Sequence, residues 1–117
     1  IIDNTLKKLK KLNSNNKIYA SVGQCIGGKN YEVNNIFYKK FVSKSRINKI
    51  YFKNKNKTKK LFNLRKFVTD KLLKFNVIVD QVNKDTFTER SNFFSYRRSR
   101  KLKQKDYGRC VSTVCLL

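Results

Sequence analysis

The sequence predicts an α/β fold, of the α+β kind, in which helices pack on a small mixed sheet. Two observations lead to this prediction. Apolar residues recur at helical spacing in three segments, and short apolar or alternating runs of strand length separate them. The chain of 117 residues has room for one domain with a modest core. Hydrophobic residues make up 39% of it, which is too many for a disordered tail.

The first predicted element is an amphipathic helix. Ile2, Leu6 and Leu9 recur at spacings of four and three residues with lysines between them. Residues 2–12 therefore present an apolar stripe to the core and a basic face to solvent. The polar run at 13–16 is expected to end this helix.

A strand and a glycine-rich turn follow. Residues 17–22 alternate, with Ile18, Ala20 and Val22 on one side, which predicts a half-buried strand. Two interpretations of the turn at 23–28 stay open. Either its backbone N–H groups approach an anion or a flat ligand, or its glycines supply positive φ angles.

Cys25 lies inside this turn, and we interpret it as a small packed residue. A nucleophilic thiol needs a neighbouring base or an electropositive setting, and the chain contains no histidine. The three cysteines are odd in number, which excludes a complete disulfide framework and favours reduced thiols and a cytoplasmic location. No apolar run approaches the roughly 20 residues that a membrane span requires, so we expect no membrane partner.

The middle of the chain predicts a helix, a strand and a loop. The helix covers 33–42, the short strand covers 50–52, and the Lys/Asn run at 53–60 is expected to be a solvated loop. The apolar face of the predicted helix comprises Val33, Ile36, Phe37 and Phe41.

A further amphipathic helix follows that loop. It leads into a strand over 77–79 and a turn over 84–88, and a last strand is expected over 110–117. The apolar stripe of this helix comprises Leu61, Leu64, Val68, Leu72 and Phe75.

Two motifs near the C-terminal end combine aromatic anchors with hydrogen-bond donors. Residues 92–98 read N-F-F-S-Y-R-R, and residues 106–109 read D-Y-G-R. The planar guanidinium group of arginine suits bidentate contacts to carboxylate or phosphate. Gly108 is expected to permit a tight turn before Arg109.

These motifs, together with G-Q-C-I-G-G-K-N-Y-E-V at 23–33, resemble the laccase-domain family. The family is also called YfiH-like or multicopper polyphenol oxidase-like. The motifs occur in the family's order, although Gln24 stands where the family usually has proline. The resemblance covers nearly the whole of this chain, as the C-terminal portion of a single laccase-like domain over residues 1–117.

The resemblance implies a purine nucleoside phosphorylase that cleaves adenosine, inosine or methylthioadenosine with phosphate and also deaminates adenosine. It further implies a zinc or copper site of two histidines and one cysteine, all upstream of the turn at 23–28. We therefore expect the N-terminal metal-binding half to be absent and this chain alone to be inactive, with no catalytic residue and no metal of its own. A separately encoded N-terminal half is a candidate partner. The chain contains no methionine, even at position 1, so we expect it to be processed, trimmed or partial.

By resemblance, the residues that contact phosphate or substrate are Arg97, Arg98 and Arg109, with Ser95 and Tyr96 supporting them. The alternative is that the arginines form a hydrogen-bonding hub that holds the C-terminal loop closed.

The net charge of +22 favours a second class of function, a small basic nucleic-acid-binding protein. Lysine and asparagine are both encoded by A-rich codons, however, and the basic residues are spread along the chain. No RNA-binding signature is present. We therefore expect nucleic-acid binding to be weak, nonspecific and salt-dependent.

Overall fold

The computed structural model describes residues 1–12, 15 and 17–115, and it has the α/β architecture that the sequence predicts. In chain order the elements are α1 (Ile2–Leu12), β1 (Tyr19–Val22), β2 (Glu32–Asn34), α2 (Asn35–Lys44), a 3-10 helix (Arg46–Tyr51), β3 (Phe52–Asn54), β4 (Lys59–Phe62), α3 (Leu64–Leu73), β5 (Ile78–Gln81) and α4 (Tyr96–Lys101). None of the described helices is long and apolar enough to cross a membrane.

The strands are divided between two small sheets rather than joined in one. β1 and β5 pair in parallel, from Tyr19 opposite Ile78 to Val22 opposite Gln81. The other sheet is antiparallel and has the order β2-β4-β3. Parallel neighbours require a long crossover. Here the crossover contains the whole antiparallel sheet, α2 and α3.

Two hydrophobic clusters form the core, and α3 contributes to both. The aliphatic cluster, between α1, α3 and the parallel pair, comprises Leu6, Val22, Leu72 and Val77. The aromatic cluster comprises Val33, Tyr51 and Phe62, surrounded by Tyr31, Phe37, Phe41, Phe52, Leu64 and Phe67. Phe62 is the most deeply buried of these, at 1% exposure. Because α3 is shared, it fixes the position of one cluster against the other.

The helix predicted over 33–42 begins later than expected. Val33 lies in β2 and is buried there, and the side chain of Asn34 caps α2 by accepting a hydrogen bond from the N–H of Phe37 at 2.8 Å. Ile36 is 76% exposed and is not part of the apolar face. The prediction was wrong at this end because the periodicity could not distinguish a buried strand residue from a first helical turn.

The strand predicted over 50–52 begins only at Phe52, because Ile50 and Tyr51 complete the 3-10 helix. The loop predicted over 53–60 is mostly a β-hairpin. The carboxamide oxygen of Asn56 accepts hydrogen bonds from the N–H groups of Thr58 and Lys59, which tightens the turn between β3 and β4.

The second predicted helix is shorter at both ends than its apolar stripe suggested. Leu61 belongs to β4, and Phe75 lies in the turn after α3. The following strand is confirmed, starting at Ile78. The last predicted strand is wrong for 110–115, which are exposed and outside any strand, while 116–117 lie outside the described residues. Of the predicted break at 13–16, positions 13, 14 and 16 also lie outside them.

Candidate functional site

The glycine-rich turn after β1 is held by an acidic side chain from a distant loop. One carboxylate oxygen of Asp85 accepts hydrogen bonds from the N–H of Gly27 at 2.9 Å and the N–H of Phe87 at 2.8 Å. The other accepts from the side-chain amide of Asn30 at 2.7 Å. Asp85 also forms a parallel bridge with Cys25. The anionic group that faces this turn is therefore the carboxylate of Asp85, a residue of the same chain.

These hydrogen bonds determine the charge state of Asp85. Burial on its own raises the pKa of the carboxyl, but the donors from Gly27, Phe87 and Asn30 outweigh it and hold the pKa below its ordinary value. Asp85 is therefore ionised at neutral pH.

The turn needs glycine at position 27 for space, not for backbone freedom. Among the described glycines none has a positive φ, so that interpretation of the turn was wrong. A Cβ on Gly27 would lie 2.8 Å from Cγ of Asp85, which is closer than van der Waals contact allows.

Arg98 connects the same loop to α4. Its Nη1 donates to the carbonyl oxygens of Thr86 at 2.6 Å and Phe87 at 3.0 Å, and its Nη2 donates to that of Phe93. The guanidinium group thus connects the residues that follow Asp85 to Phe93, near the end of the loop that leads to α4. These contacts are those of the hydrogen-bonding hub, the alternative that the sequence left open.

A second arginine, Arg65 on α3, supports the loop from the other side. Its Nη1 donates to the side chain of Asn83 at 2.6 Å, and its Nη2 donates to the carbonyl oxygen of Lys84. The loop is therefore held by guanidinium groups from α3 and α4. We call the set of Gly27, Asn30, Arg65, Asp85 and Arg98 the polar junction.

The two residues before the arginines on the motif have different environments. Ser95 is buried, and its hydroxyl caps α4 by accepting from the N–H of Arg98 at 3.4 Å. Tyr96 is 58% exposed, and its ring lies against that of Tyr107 with centroids 5.2 Å apart. Ser95 therefore positions the helix, whereas Tyr96 is an exposed residue whose ring packs on Tyr107.

Arg97 is exposed, and its side chain reaches the first motif. Its guanidinium carbon lies 5.6 Å from the ring centroid of Tyr31, a cation–π contact. It lines a groove of about 350 Å³ together with Lys59 and Glu32, which pair with each other at 3.3 Å. In the part of the chain that the structure describes, no carboxylate lies within ion-pairing distance of Arg97. The guanidinium group of Arg97 is thus accessible to an external anion.

Arg109 lies on an exposed segment and contacts its own neighbours. Nη1 donates to the carboxylate of Asp106 at 3.1 Å and to the carbonyl oxygen of Tyr107 at 2.5 Å, and the guanidinium carbon lies 4.4 Å from the ring centroid of Tyr107. Gly108 has no positive φ. A Cβ there would lie 2.5 Å from the ring of Phe94, which is 57% exposed, so a larger residue at position 108 would displace that ring. The predicted tight turn is therefore replaced by a packing contact.

Cys25 has the surroundings of a packed residue. Burial raises the pKa of its thiol, with the positive charge of Arg65 opposing this only in part. The thiol is therefore protonated at neutral pH and a poor nucleophile.

A protein metal site needs several ligating side chains close together. Among the described residues, no group of three His, Cys, Asp or Glu side chains is close enough to hold a metal ion. We assign no chemical step of this chain to a metal.

Sequence reasoning missed Asp85, Asn30 and Arg65. A signal for Asp85 existed, because an aspartate inside the predicted turn at 84–88 is a common acceptor for loop N–H groups. Its partner Gly27 is 58 residues away, however, and only the fold brings them together. The partners of Arg65 lie 18 and 19 residues further along the chain, and the fold likewise brings them together.

Comparison with known proteins places these motifs in a family. The family described as multi-copper polyphenol oxidoreductase laccase matches residues 1–117. A purine nucleoside phosphorylase of Rickettsia prowazekii is 37% identical over 101 residues, which cover 85% of this chain and 42% of the relative.

Two solved structures have similar folds. A hypothetical protein YfiH of Bacillus licheniformis matches with a TM-score of 0.76 and 21% identity, covering 86% of this chain and 40% of that one. A Neisseria meningitidis protein matches with a TM-score of 0.64 and 27% identity, covering 68% of this chain and 34% of that one. The chain spans less than half the length of these relatives. With the family match extending over all 117 residues, this chain belongs to the multi-copper polyphenol oxidoreductase laccase family, the YfiH-like proteins.

Proposed function

We propose that this chain forms the C-terminal portion of a purine nucleoside phosphorylase and is inactive alone. The observation that carries the proposal is the 37% identity to a protein named as such an enzyme. The substrates that we propose are adenosine, inosine and methylthioadenosine, cleaved with phosphate, with deamination of adenosine as a second activity. A zinc or copper ion would be held by residues outside this chain, in an N-terminal portion of the same domain.

The exposed surface supports a role as part of a larger domain. The chain exposes 9544 Å², whereas a compact monomer of 13.9 kDa exposes about 6,700 Å². Its radius of gyration is 16.3 Å, against about 13 Å for a compact domain of this length. The excess, about 2,900 Å², is surface that is available for contact with a further part of the same domain.

Within this proposal the two neighbouring arginines have separate roles. Phosphorolysis brings a phosphate anion to the anomeric carbon of the nucleoside, and an arginine with an accessible guanidinium group is suited to hold that anion. Arg97 has such a group, and we assign it the role of binding phosphate. Arg98 donates to three carbonyl groups, so it positions α4 and the loop. Arg109 braces the segment at 106–109, and Tyr96 supports Arg97 on the accessible side.

The test replaces each of these arginines by lysine in this chain joined to the N-terminal portion of a relative. Lysine keeps the positive charge but cannot form the bidentate hydrogen bonds of a guanidinium group. We expect Arg97→Lys to slow phosphate-dependent nucleoside cleavage about 30- to 1,000-fold per folded molecule, through a loss of about 2–4 kcal/mol in the transition state. Arg98→Lys should lower the melting temperature instead.

Arg46→Lys, at the start of the 3-10 helix, is the matched control and should change neither quantity. If Arg97→Lys cleaves as fast as the unchanged protein after correction for folded fraction, the assignment of Arg97 is wrong. If the joined protein shows no phosphorolysis although it is folded and metal-loaded, the proposed activity itself is wrong.

A further inference from the structure

A cleft lies between α1, α2 and α3, on a part of the molecule that shares no residue with the motif at 92–109. Its volume is about 570 Å³, within the range of small-molecule sites, roughly 300–1,000 Å³. Phenylalanine rings from α2, α3 and the turn after α3 form its apolar floor, namely Phe41, Phe67 and Phe75. The ammonium groups of Lys71 and Lys10 lie 5.6 and 5.8 Å from the ring centroids of Phe67 and Phe75. A flat ring that stacks on this floor replaces such a cation–π contact or lies beside it.

The rim of this cleft is strongly basic. It carries Lys7 from α1, Lys40 and Lys44 from α2, and Lys71 and Lys74 from the end of α3. Lys71 forms an ion pair with Asp3, and Lys7 lies near enough to lower the pKa of Asp3 by its charge, without a direct ion pair. Lys40, Lys44 and Lys74 form no ion pair with any acidic residue that the structure describes.

The single carboxylate lining the cleft does not balance this charge. Asp3 binds Lys71, with Oδ2 2.6 Å from Nζ, and that pair is neutral as a unit. Asp3 also attracts Lys7, so one carboxylate faces two ammonium groups. The cleft therefore carries a net positive charge of four, and its ammonium groups repel one another at a cost that a bound polyanion removes.

We propose that this cleft binds a small molecule that carries a flat ring and two or more phosphate groups, a nucleoside diphosphate being the simplest example. The ring lies on the phenylalanine floor, and the phosphates meet the lysines on α1 and α2. The aromatic floor distinguishes this site from a general anion site, because bare phosphate makes no use of it. The cleft has room for one ring with its phosphates. A site for a long nucleic acid would instead extend over many nucleotides.

The chain supplies a matched control for the basic rim. Lys7 and Lys40 line the cleft, while their neighbours Lys8 and Lys39, on the same two helices, do not. The double variants Lys7→Gln/Lys40→Gln and Lys8→Gln/Lys39→Gln have the same net charge and change the same helices. Any difference between them is therefore local to the cleft.

The experiment measures binding of adenosine diphosphate, pyrophosphate and adenosine by calorimetry at fixed ionic strength. We expect adenosine diphosphate to bind at least about tenfold more tightly than either of the other probes, since one lacks the stacked ring and the other lacks the charge. Lys7→Gln/Lys40→Gln should weaken that binding about 25-fold, at about fivefold for each lost contact. Lys8→Gln/Lys39→Gln should change it less than about twofold.

Equal losses in the two double variants would mean diffuse attraction by a basic protein and would overturn the proposal. So would equal affinity for pyrophosphate, or no binding up to about 1 mM. A second experiment uses the unchanged chain, so it does not depend on whether the variants fold. Adenosine diphosphate should shift the amide NMR resonances of Ser45, Asn48 and Phe75. Shifts confined to residues 93–109 would place the ligand elsewhere and would also overturn the proposal. Because the readout is binding at α1 to α3, these outcomes are independent of phosphorolysis.

Discussion

The aromatic cluster and the polar junction are stabilised by different interactions. In the aromatic cluster the rings of Tyr31, Phe37, Phe41, Phe52 and Phe67 have centroids 4.8–5.8 Å from that of Phe62. In the polar junction, Asp85 and Arg98 bind mainly backbone N–H and carbonyl groups. The first region depends on apolar volume, and the second depends on particular donor and acceptor positions.

This difference determines how each region responds to substitution. A core of packed rings loses stability in proportion to the volume removed, and another apolar residue can partly replace the missing one. A hydrogen-bonded junction leaves buried donors unpaired when one acceptor is removed, whatever the size of the replacement. Substitutions that remove either side-chain volume or a hydrogen-bond partner, but not both, therefore test whether the two regions are stabilised differently.

The largest expected effect is in the aromatic cluster. Phe62→Ala removes the ring at its centre and should lower the free energy of unfolding by about 3–5 kcal/mol. Ile36→Ala, on the exposed side of α2, is the control and should change it by less than about 0.5 kcal/mol. Chemical denaturation followed by circular dichroism measures both, and equal effects would contradict the assigned core.

The next effect is in the polar junction. Asp85→Ala leaves the N–H of Gly27 and the amide of Asn30 without their acceptor, and should cost about 2–4 kcal/mol. Asp80→Asn, on the exposed face of β5, removes one negative charge without removing a junction contact. If Asp85→Ala is no more destabilising than Asp80→Asn, the junction does not hold the glycine-rich turn.

A smaller effect separates the two neighbouring arginines. Arg98→Lys keeps one of several donated bonds and should lower the free energy of unfolding by about 1–3 kcal/mol. Arg97→Lys should lower it by less than about 0.5 kcal/mol, because its contact with Tyr31 is exposed. The thermal midpoints of the two variants give the comparison, and a reversed order would assign the structural role to Arg97.

The same contrast explains what the sequence predicted and what it did not. Periodicity predicted the bounds of α1, and it identified Phe37 and Phe41 as the partly buried residues of α2 that pack against the aromatic cluster. It did not predict β4, since Lys59 and Lys60 precede Leu61 in a strand whose start is set by the turn at Asn56. Arg97 and Arg98 are adjacent and chemically identical, so only their surroundings in the fold distinguish them.

The last and smallest effect is the dependence of the junction on pH. The folded pKa of Asp85 lies below its ordinary value of 3.8, so ionised Asp85 stabilises the fold at pH values above 3.8, and this contribution is lost as the pH falls through the folded pKa. Asp85→Asn keeps the shape but loses the charge, and should cost about 1–2 kcal/mol at neutral pH.

The cost of Asp85→Asn should persist at pH 4, where free aspartate is already partly protonated, and disappear only at lower pH. Denaturation of the unchanged chain and Asp85→Asn at matched pH values measures that difference, and Asp80→Asn controls for the general loss of negative charge. A difference that already vanishes at pH 5 would mean that the carboxylate of Asp85 is not held by the donors of Gly27, Asn30 and Phe87. A difference that grows as the pH falls would reverse the sign of the linkage and exclude an ionised Asp85 in the folded state.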